Sequence, residues 1–331
     1  MAARIQDVAA RAGVSTATVS RVLSGVDFVS VELSERVWRA VRELGYRRNR
    51  VARRLRRPGG EMWALIVSDI ENRFFTSVAR GVEDVANESG ITVFIGNTDN
   101  DPERLGRYLE TALAEQVAGI ILTPTSPDDD VSSVISAGTP LVTIDQPLSS
   151  ASLPTVTTDH HIGGQLAGSF LAARGHRTIG VVAGPQPVAT WNTRLDGLMS
   201  CFQSSDTRVV VERGDNKVAG GMAATAHLLD NVPSLDALFV TNNLMTIGAL
   251  REIDSRGLTI PGDIDVVGYD LNSEEWTRSV PVTSVNQDPR RIGEVASRTL
   301  LDLQAGTGRV PSSDLILLEP HLQEPAAVGL H

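Results

Sequence analysis

Short apolar runs alternate with longer amphipathic stretches from residue 61 to the end of this 331-residue chain. Eight of these runs have the length and composition of buried strands: residues 63–67, 91–95, 119–122, 141–144, 178–183, 208–212, 237–240 and 265–269. Helical patterns separate most consecutive runs, which is typical of parallel βαβ units. We therefore predict a doubly wound α/β fold for residues 61–331.

Polar residues directly follow several of the predicted strands. Asp69, Asp145, Asn242 and Asp270 come after the first, fourth, seventh and eighth runs. Parallel sheets bind ligands at the carboxyl ends of their strands, so these side chains are the first candidates for a site. Carboxylate and amide oxygens accept hydrogen bonds from hydroxyl groups, which favours a ligand rich in hydroxyls.

Further side chains fit the same kind of site. Arg194 offers a fork of donors, Gln287 an amide, and Phe74, Phe75 and Trp191 flat apolar faces on which a sugar ring or a base can lie. Each candidate also has a purely structural interpretation. Asp and Asn after a strand commonly cap the next helix, and a single aromatic residue commonly belongs to the core.

The first residues have the spacing of a helix-turn-helix. Ala9 is placed where two helices cross, Gly13 in the turn, and Val19 on the inner face of the second helix. The apolar periodicity predicts a support helix over residues 5–12 and a recognition helix over residues 16–23, with Ser15 as its N-cap. A third helix is predicted from the cap Ser30 to about residue 44.

The outward face of the recognition helix presents Thr16, Ala17, Ser20 and Arg21. The small side chains allow close approach to a DNA groove, and the Arg21 guanidinium can pair with a guanine edge through two hydrogen bonds. We predict that these four residues contact DNA, with Arg21 reading a base. The alternative is a small helical subdomain that has no role with nucleic acid.

Charge is divided unequally along the chain. Residues 1–60 carry 13 arginines, no lysine and five acidic residues, a net charge of +8, whereas the whole chain carries −10. The remainder is therefore −18. A basic head can neutralise phosphates locally even though the sequence pI is about 5.1.

An arginine-rich segment, residues 49–57, precedes the helix breaker of residues 58–60. Together with the helix-turn-helix, this segment indicates a DNA-binding protein, although a solvated basic linker is the structural alternative. The predicted organisation is a helix-turn-helix domain over residues 1–46, a linker over 47–60, and a second, α/β domain over 61–331.

The head resembles the DNA-binding domain of the lactose-repressor (LacI/GalR) family of bacterial regulators. The resemblance rests on residues 7–9, 12–15, 18–23, 44–46 and Asn49. It implies that residues 49–57 form a hinge helix that orders in the minor groove when two subunits meet on an operator. Asn49, Ala52, Arg53 and Leu55 are then expected to contact DNA, with Leu55 as an apolar wedge at a central base step.

The resemblance continues through the larger domain, in residues 69–75, 175–177, 194–197, 242–250 and 268–270. It implies a two-lobed module similar to periplasmic sugar-binding proteins, with lobe one over about 61–157 and 288–316 and lobe two over about 158–287 and 317–331. The expected effector-binding residues are Asp69, Phe74, Phe75, Asp145, Trp191, Arg194, Asn242, Asp270 and Gln287. Asn243 and Leu271 stand where the family often has Asp.

These observations predict a transcriptional repressor controlled by a sugar or sugar derivative. The expected partners are a pseudo-palindromic double-stranded operator and a second copy of the chain. Two other modes of regulation stay open: a catabolite-type regulator controlled by a protein partner, and a sensor of a nucleoside or purine co-repressor. A transport-associated sugar-binding protein would need a signal peptide, and Met1 leads directly into the helix-turn-helix.

Other functional classes receive little support from the sequence. No nucleophile elbow or phosphate-binding loop is recognisable, so we expect no enzyme and no cofactor. The adjacent His160 and His161 point to different faces of a helix, so we expect no metal site. The lone Cys201 fits a reducing compartment, no apolar stretch is long enough for a membrane, and a cytoplasmic location is expected. The acidic run of residues 128–130 is interpreted as a solvated loop.

Overall fold

The computed structural model describes residues 3–23, 29–46, 62–149, 151–186, 189–203, 206–271, 281–306 and 315–325. The chain divides into two compact units, Met1–Gly60 and Glu61–His331. The predicted hinge, including Asn49, Ala52, Arg53 and Leu55, lies outside the described residues.

The first unit is built from three helices, α1 (Ile5–Ala12), α2 (Thr16–Leu23) and α3 (Val31–Glu43). Gly13 ends α1 with a φ of 65°, a left-handed conformation that glycine adopts without strain. Val8, Val19 and Val37, one from each helix, are fully buried and form the centre of the small core. The predicted three-helix head is confirmed, and its helix bounds agree with the predicted ones closely.

Within the described residues, the second unit contains two six-stranded sheets. The first has the order β11-β5-β4-β3-β1-β2 and is parallel throughout. Its strands are β1 (Met62–Val67), β2 (Thr92–Asn97), β3 (Gly119–Leu122), β4 (Leu141–Ile144), β5 (Thr155–Thr158) and β11 (Leu315–Leu318).

The second sheet has the order β12-β10-β9-β8-β6-β7, in which only β12 runs antiparallel to its neighbour among the strands of the described residues. Its strands are β6 (Thr178–Ala183), β7 (Arg208–Arg213), β8 (Ala237–Val240), β9 (Asp265–Tyr269), β10 (Thr283–Asn286) and β12 (His321–Gln323). Each sheet with its helices forms one lobe, here called the first and second lobe.

Helices cover both faces of each sheet. They are α4 (Arg73–Glu88), α5 (Pro102–Ala114), α6 (Ser132–Ser136), α7 (His160–Ala173), α8 (Ala189–Ser200), α9 (Val218–Asn231), α10 (Asn243–Ser255) and α11 (Pro289–Ala305). Four hydrophobic clusters result, two per lobe. The doubly wound, two-lobed α/β fold is thereby confirmed. No helix of the described ranges combines the length and the apolar character needed to cross a bilayer.

Four strands were not among the eight predicted: β5, β10, β11 and β12. Two of them, Thr155–Thr158 and Thr283–Asn286, are rich in hydroxyl side chains and carry no apolar run. Thr155 is nevertheless buried, because its hydroxyl pairs with that of Thr143 on β4 at 2.6 Å. Tertiary pairing therefore makes strands of segments whose local composition does not predict them.

Paired glycines bring helices into close contact in both lobes. A Cβ on Gly164 of α7 would overlap the carbonyl oxygen of Arg194, and a Cβ on Gly197 of α8 would overlap that of His161. The same arrangement joins α4 to α11 through Gly81 and Gly293, and α9 to α10 through Gly221 and Gly248. The α7–α8 pair bears most directly on the predicted site, because α8 carries two of the predicted site residues, Trp191 and Arg194.

Candidate functional site

The recognition-helix residues predicted to contact DNA lie on α2. Thr16, Ala17 and Arg21 are exposed, and Ser20 is half-buried. Ser15 caps the helix by accepting from the Thr18 amide at 3.1 Å, as predicted. This face therefore offers one guanidinium among small side chains, an arrangement that fits a major groove.

A cavity of about 340 Å³ lies between the two lobes, at the carboxyl ends of their strands. All nine predicted effector-binding residues line it: Asp69, Phe74, Phe75, Asp145, Trp191, Arg194, Asn242, Asp270 and Gln287. The volume is in the range of small-molecule sites. The structure thus brings together residues that are far apart in the sequence.

Further lining residues were missed by the sequence interpretation. They are Ser68, Asn72, Asn100, Thr123, Pro124, Thr125, Gln146, Pro185, Asp215, Asn216 and Lys217. Most of them follow the ends of β2, β3, β4, β6 and β7. The signal was available, because the rule that located Asp145 and Asp270 applies equally to these strands.

Arg194 is the centre of the second lobe's side of the cavity, and it is only 2% exposed. Its Nε donates to His160 Nδ1 at 3.3 Å, its Nη2 donates to Gln287 Oε1 at 3.1 Å, and its Nη1 donates to the Thr241 carbonyl. The guanidinium also lies 3.7 Å from the centre of the Tyr269 ring and 4.9 Å from that of Trp191. Hydrogen-bond acceptors along its edges and two aromatic rings therefore fix the position of the Arg194 guanidinium.

Asp270 is hydrogen-bonded to Gln287, the residue that follows the neighbouring strand β10. Its Oδ1 accepts from the Gln287 amide at 2.9 Å, and its Oδ2 accepts from Gln287 Nε2. Gln287 in turn accepts from Arg194, so these three predicted site residues form one hydrogen-bonded chain. Removing the side chain of any one of the three would leave a hydrogen-bonding group of its neighbour in this chain without a partner.

Burial determines the charge states around the cavity. It raises the pKa of Asp145 from 3.8 to about 6, a shift that the positive charge of Arg194 reduces and the negative charge of Asp270 increases. Burial also raises the pKa of Asp270, against the opposing effect of Arg194. The pKa of His160 is lowered well below 6.5, first by burial and then by Arg194.

His160 was considered only as a metal ligand from the sequence, and the structure gives it another position. It is buried under Arg194, whereas His161 is exposed. A neutral His160 accepts from Arg194 on Nδ1, and its Nε2 lies 3.2 Å from the Thr157 hydroxyl. Within the described part of the chain, no group of three or more His, Cys, Asp or Glu side chains could hold a metal ion.

The aromatic residues have mixed positions. Phe74 and Phe75 meet edge to face at 5.0 Å and belong to the core of the first lobe while also lining the cavity. Trp191 lies over Gly184, where a Cβ would collide with its ring. The Trp191 Nε1 and the Thr123 hydroxyl are buried and have no partner among the described residues. Both residues line the cavity.

Two site residues also have the structural roles considered for them. The Asn242 side chain caps α10 by accepting from the Met245 amide at 2.8 Å. Asp69 accepts from the Glu71 amide at 2.9 Å, which closes a turn after β1. These bonds occupy one side-chain oxygen of each residue and orient the side chain at the cavity wall.

The two departures from the family pattern differ in position. Asn243 donates to Asn72 Oδ1 at 2.7 Å, and this buried hydrogen bond joins the two lobes across the cavity. Leu271 is instead 4% exposed and belongs to a hydrophobic cluster of the second lobe. Only Asn243 therefore belongs to the cavity lining.

The acidic run of residues 128–130 is not simply a solvated loop. Asp128 and Asp130 are exposed, but Asp129 is only 7% exposed. Asp129 accepts from the Thr125 amide and hydroxyl at 2.6 and 2.8 Å, and from the Ser126 amide at 3.1 Å. Its carboxylate orders the turn that brings Thr125 to the cavity, so the interpretation was wrong for this residue.

Both units match known families. Residues 4–49 match bacterial regulatory proteins of the lacI family, and residues 63–308 match a periplasmic binding protein domain. The chain is 33% identical over 333 residues to the HTH-type transcriptional repressor PurR of Klebsiella pneumoniae (strain 342), covering 99% of this chain and 97% of the relative.

Two solved structures are similar over nearly the whole chain. One is a complex of the transcriptional regulator CelR with cellobiose, at 32% identity and a TM-score of 0.71, covering 98% of this chain and 99% of the other. The second is the Lac repressor dimer bound to operator and the anti-inducer ONPF, at 28% identity and a TM-score of 0.84, with coverage of 98% and 99%.

Proposed function

Because the chain belongs to the LacI family of bacterial regulatory proteins and is thus a DNA-binding regulator of transcription, we propose that a small polyhydroxylated effector in the cavity controls its affinity for an operator. One observation carries this proposal. Carboxylates, amides and aromatic faces from both lobes converge on one cavity, and such side chains suit a sugar. The CelR relative binds a sugar, cellobiose, in its solved complex.

On the DNA side, Thr16, Ala17, Ser20 and Arg21 are proposed to enter the major groove. Asn49, Ala52, Arg53 and Leu55 are proposed to contact the minor groove and its phosphates. The Lac repressor relative is a dimer on its operator. A dimer of this chain would likewise read a pseudo-palindromic operator with half-sites about one helical turn apart.

The effector-binding residues are proposed to be Asp69, Phe74, Phe75, Asp145, Trp191, Arg194, Asn242, Asp270 and Gln287. They come from both lobes, so a ligand that contacts them stabilises one relative position of the lobes over others. Such a preference would change operator affinity by a coupling free energy of about 1 to 3 kcal/mol. We propose that effector binding releases the protein from the operator.

The relatives are transcriptional regulators, and we propose that this chain also acts by binding alone, without an enzymatic step. A regulator of transcription acts where the bacterial chromosome lies, so the proposed location is the cytoplasm.

The test is a thermal-shift screen of the full chain against sugars, polyols and nucleosides, followed by operator binding with each hit. A ligand at one hundred times its dissociation constant stabilises the protein by about 2.7 kcal/mol. The operator used in this test is a DNA duplex obtained by selecting, from a pool of random sequences, those that the protein binds. A hit that also weakens operator binding supports the proposal, whereas a hit that leaves operator affinity unchanged contradicts the control mechanism.

Asp270→Asn tests whether the cavity is the effector site. This variant keeps the size of the side chain and one carbonyl oxygen for Gln287, but it removes the charge. We expect loss of the ligand-induced shift with unchanged operator affinity. Asp196→Asn is the matched control, because Asp196 is exposed on α8 and does not line the cavity. An equal ligand response in the two variants would reject the site.

A further inference from the structure

The lining of the cavity is rich in carboxylates. Asp69, Asp145, Asp215 and Asp270 line it, whereas Arg194 and Lys217 are the cationic side chains among its described lining residues. Whether those two cations can receive an anion therefore decides the charge of the ligand.

Arg194 has little left to offer to an anion. His160, Gln287 and the Thr241 carbonyl accept from all three of its nitrogen atoms. Tyr269 and Trp191 lie against the guanidinium at 3.7 and 4.9 Å. A phosphate or carboxylate is normally recognised by two parallel N–H donors of one guanidinium, and here that edge already binds protein acceptors.

Lys217 does not replace Arg194 as a binding group for an anion. The residue is exposed, and its amide donates to Asp215 Oδ1 at 2.9 Å, which keeps that exposed carboxylate next to the ammonium-bearing residue. An exposed ammonium contributes little to binding, because water and salt screen its charge. The Asp215 carboxylate, which also lines the cavity, adds a negative charge to the same lining.

The inner carboxylates add repulsion. Asp145 and Asp270 are half-buried at the cavity wall, and the negative charge of Asp270 raises the pKa of Asp145. A bound phosphate would add a further negative charge to a space in which the carboxylates of Asp145 and Asp270 already outnumber the single guanidinium of Arg194. Hydroxyl groups meet the opposite situation, because the carboxylate oxygens that line the cavity can accept from them.

From this arrangement we propose that the effector is an uncharged polyhydroxylated molecule and that the cavity excludes its phosphorylated and carboxylated forms. This inference rests on the proposed function and specifies the ligand class of the same site. It separates a free sugar, polyol or nucleoside from a sugar phosphate or a nucleotide.

The experiment compares matched pairs that differ by one phosphate: glucose with glucose 6-phosphate, ribose with ribose 5-phosphate, fructose with fructose 1-phosphate, and adenosine with adenosine monophosphate, with cellobiose added. Each is titrated against the full chain at pH 8 by thermal shift and calorimetry. For any parent compound that binds, we expect its phosphate to bind weaker by about tenfold or more. A phosphate that binds as tightly as its parent, or more tightly, overturns the inference.

Asp145→Asn provides a second readout on the same pair. Removing this negative charge from the cavity wall should narrow the difference in affinity between parent and phosphate by about threefold to tenfold. The control Asp196→Asn should leave the difference unchanged, because Asp196 is exposed outside the cavity. An unchanged difference in Asp145→Asn shows that charge is not the basis of selection and overturns the inference. No binding by any member of the panel instead contradicts the sugar-like effector of the proposed function.

Discussion

Asp145 and Asp270 both adopt left-handed backbone conformations, with φ values of 72° and 49°, directly after a buried strand. Asp tolerates this region better than bulky or β-branched residues do. The turn directs each carboxyl group into the cavity, away from bulk water. The same two residues therefore combine an unusual backbone with a raised pKa, and such combinations are concentrated at functional sites.

The raised pKa of Asp145 predicts a specific pH dependence of stability. Between about pH 3.8 and 6 the folded protein binds this proton and the unfolded chain releases it, so the free energy of unfolding falls as the pH rises through this window. Above pH 6 the full penalty applies, on the order of 1 to 3 kcal/mol. Asp145→Asn should be more stable than wild type at pH 7 by that amount.

Urea unfolding at steps from pH 4 to pH 8 checks this prediction. The slope between pH 4 and 6 should be smaller in Asp145→Asn, with a residual slope of the same sign from Asp270, whose pKa is also raised by burial. Asp196→Asn, altered at an exposed position, should follow the wild-type curve. A slope that is the same in all three proteins would contradict the raised pKa of Asp145.

At the scale of elements, the site depends on how closely α8 approaches α7. Arg194 and Trp191 both lie on α8, and Gly164 and Gly197 set the distance between the helices. Neither glycine is marked by a turn or a positive φ. Each is needed because the carbonyl oxygen of the partner helix occupies the place of a Cβ.

Gly197→Ala should therefore destabilise the protein and weaken ligand binding together. The added methyl group would overlap the His161 carbonyl, and such overpacking costs about 1 to 3 kcal/mol. Separation of the helices would also move Arg194 from its bond with His160. Thermal unfolding and the dissociation constant of a ligand found in the screen measure the two effects.

Gly106→Ala is the control for this substitution. Gly106 is exposed within α5, and nothing lies within 4 Å of the place that a Cβ would take. Alanine there should raise stability by up to about 1 kcal/mol through helix propensity and leave ligand binding unchanged. If Gly197→Ala behaved like Gly106→Ala, the close approach of α7 and α8 would have no functional importance.

At the scale of the whole molecule, the two units divide the work between DNA and ligand. The basic unit carries +8 and the larger unit −18, so phosphate attraction belongs to the first unit alone. Control of transcription then requires that ligand binding in one unit changes the DNA affinity of the other. The predicted hinge, residues 47–60, is where we expect the two functions to meet.

Leu55→Ala tests the expected wedge in that segment. Removing an apolar side chain should reduce specific operator affinity by about 1 to 3 kcal/mol and leave binding to random DNA nearly unchanged, because no charge is lost. Arg53→Ala, two residues away, should weaken both kinds of binding and reduce the salt dependence of affinity by about one phosphate contact. Gel-shift titrations at several salt concentrations separate the two patterns. A similar loss on both DNAs in Leu55→Ala would argue against a wedge.

The sequence by itself determined the features that depend on short-range order. The three helices of the head follow from apolar periodicity, the caps Ser15 and Ser30, and the turn at Gly13. Six of the eight predicted strands are buried along nearly their whole length, and continuous apolar runs are what such burial requires, whereas the edge strands β2 and β7 are largely exposed or half-buried. Asp145 and Asp270 could be located because parallel sheets bind ligands at the carboxyl ends of their strands, and the apolar runs show where those strands end.

Only the tertiary structure decided how those residues interact. The partners that hold Arg194 are separated from it by 34, 47 and 93 positions in the sequence, and Asn243 is 171 positions from Asn72. Helical and strand periodicities extend over a few residues, so they do not predict contacts between residues this far apart in the sequence. The burial that raises the pKa of Asp145 and the pairing that makes a strand of Thr155–Thr158 likewise arise from neighbours that the chain supplies only after it has folded.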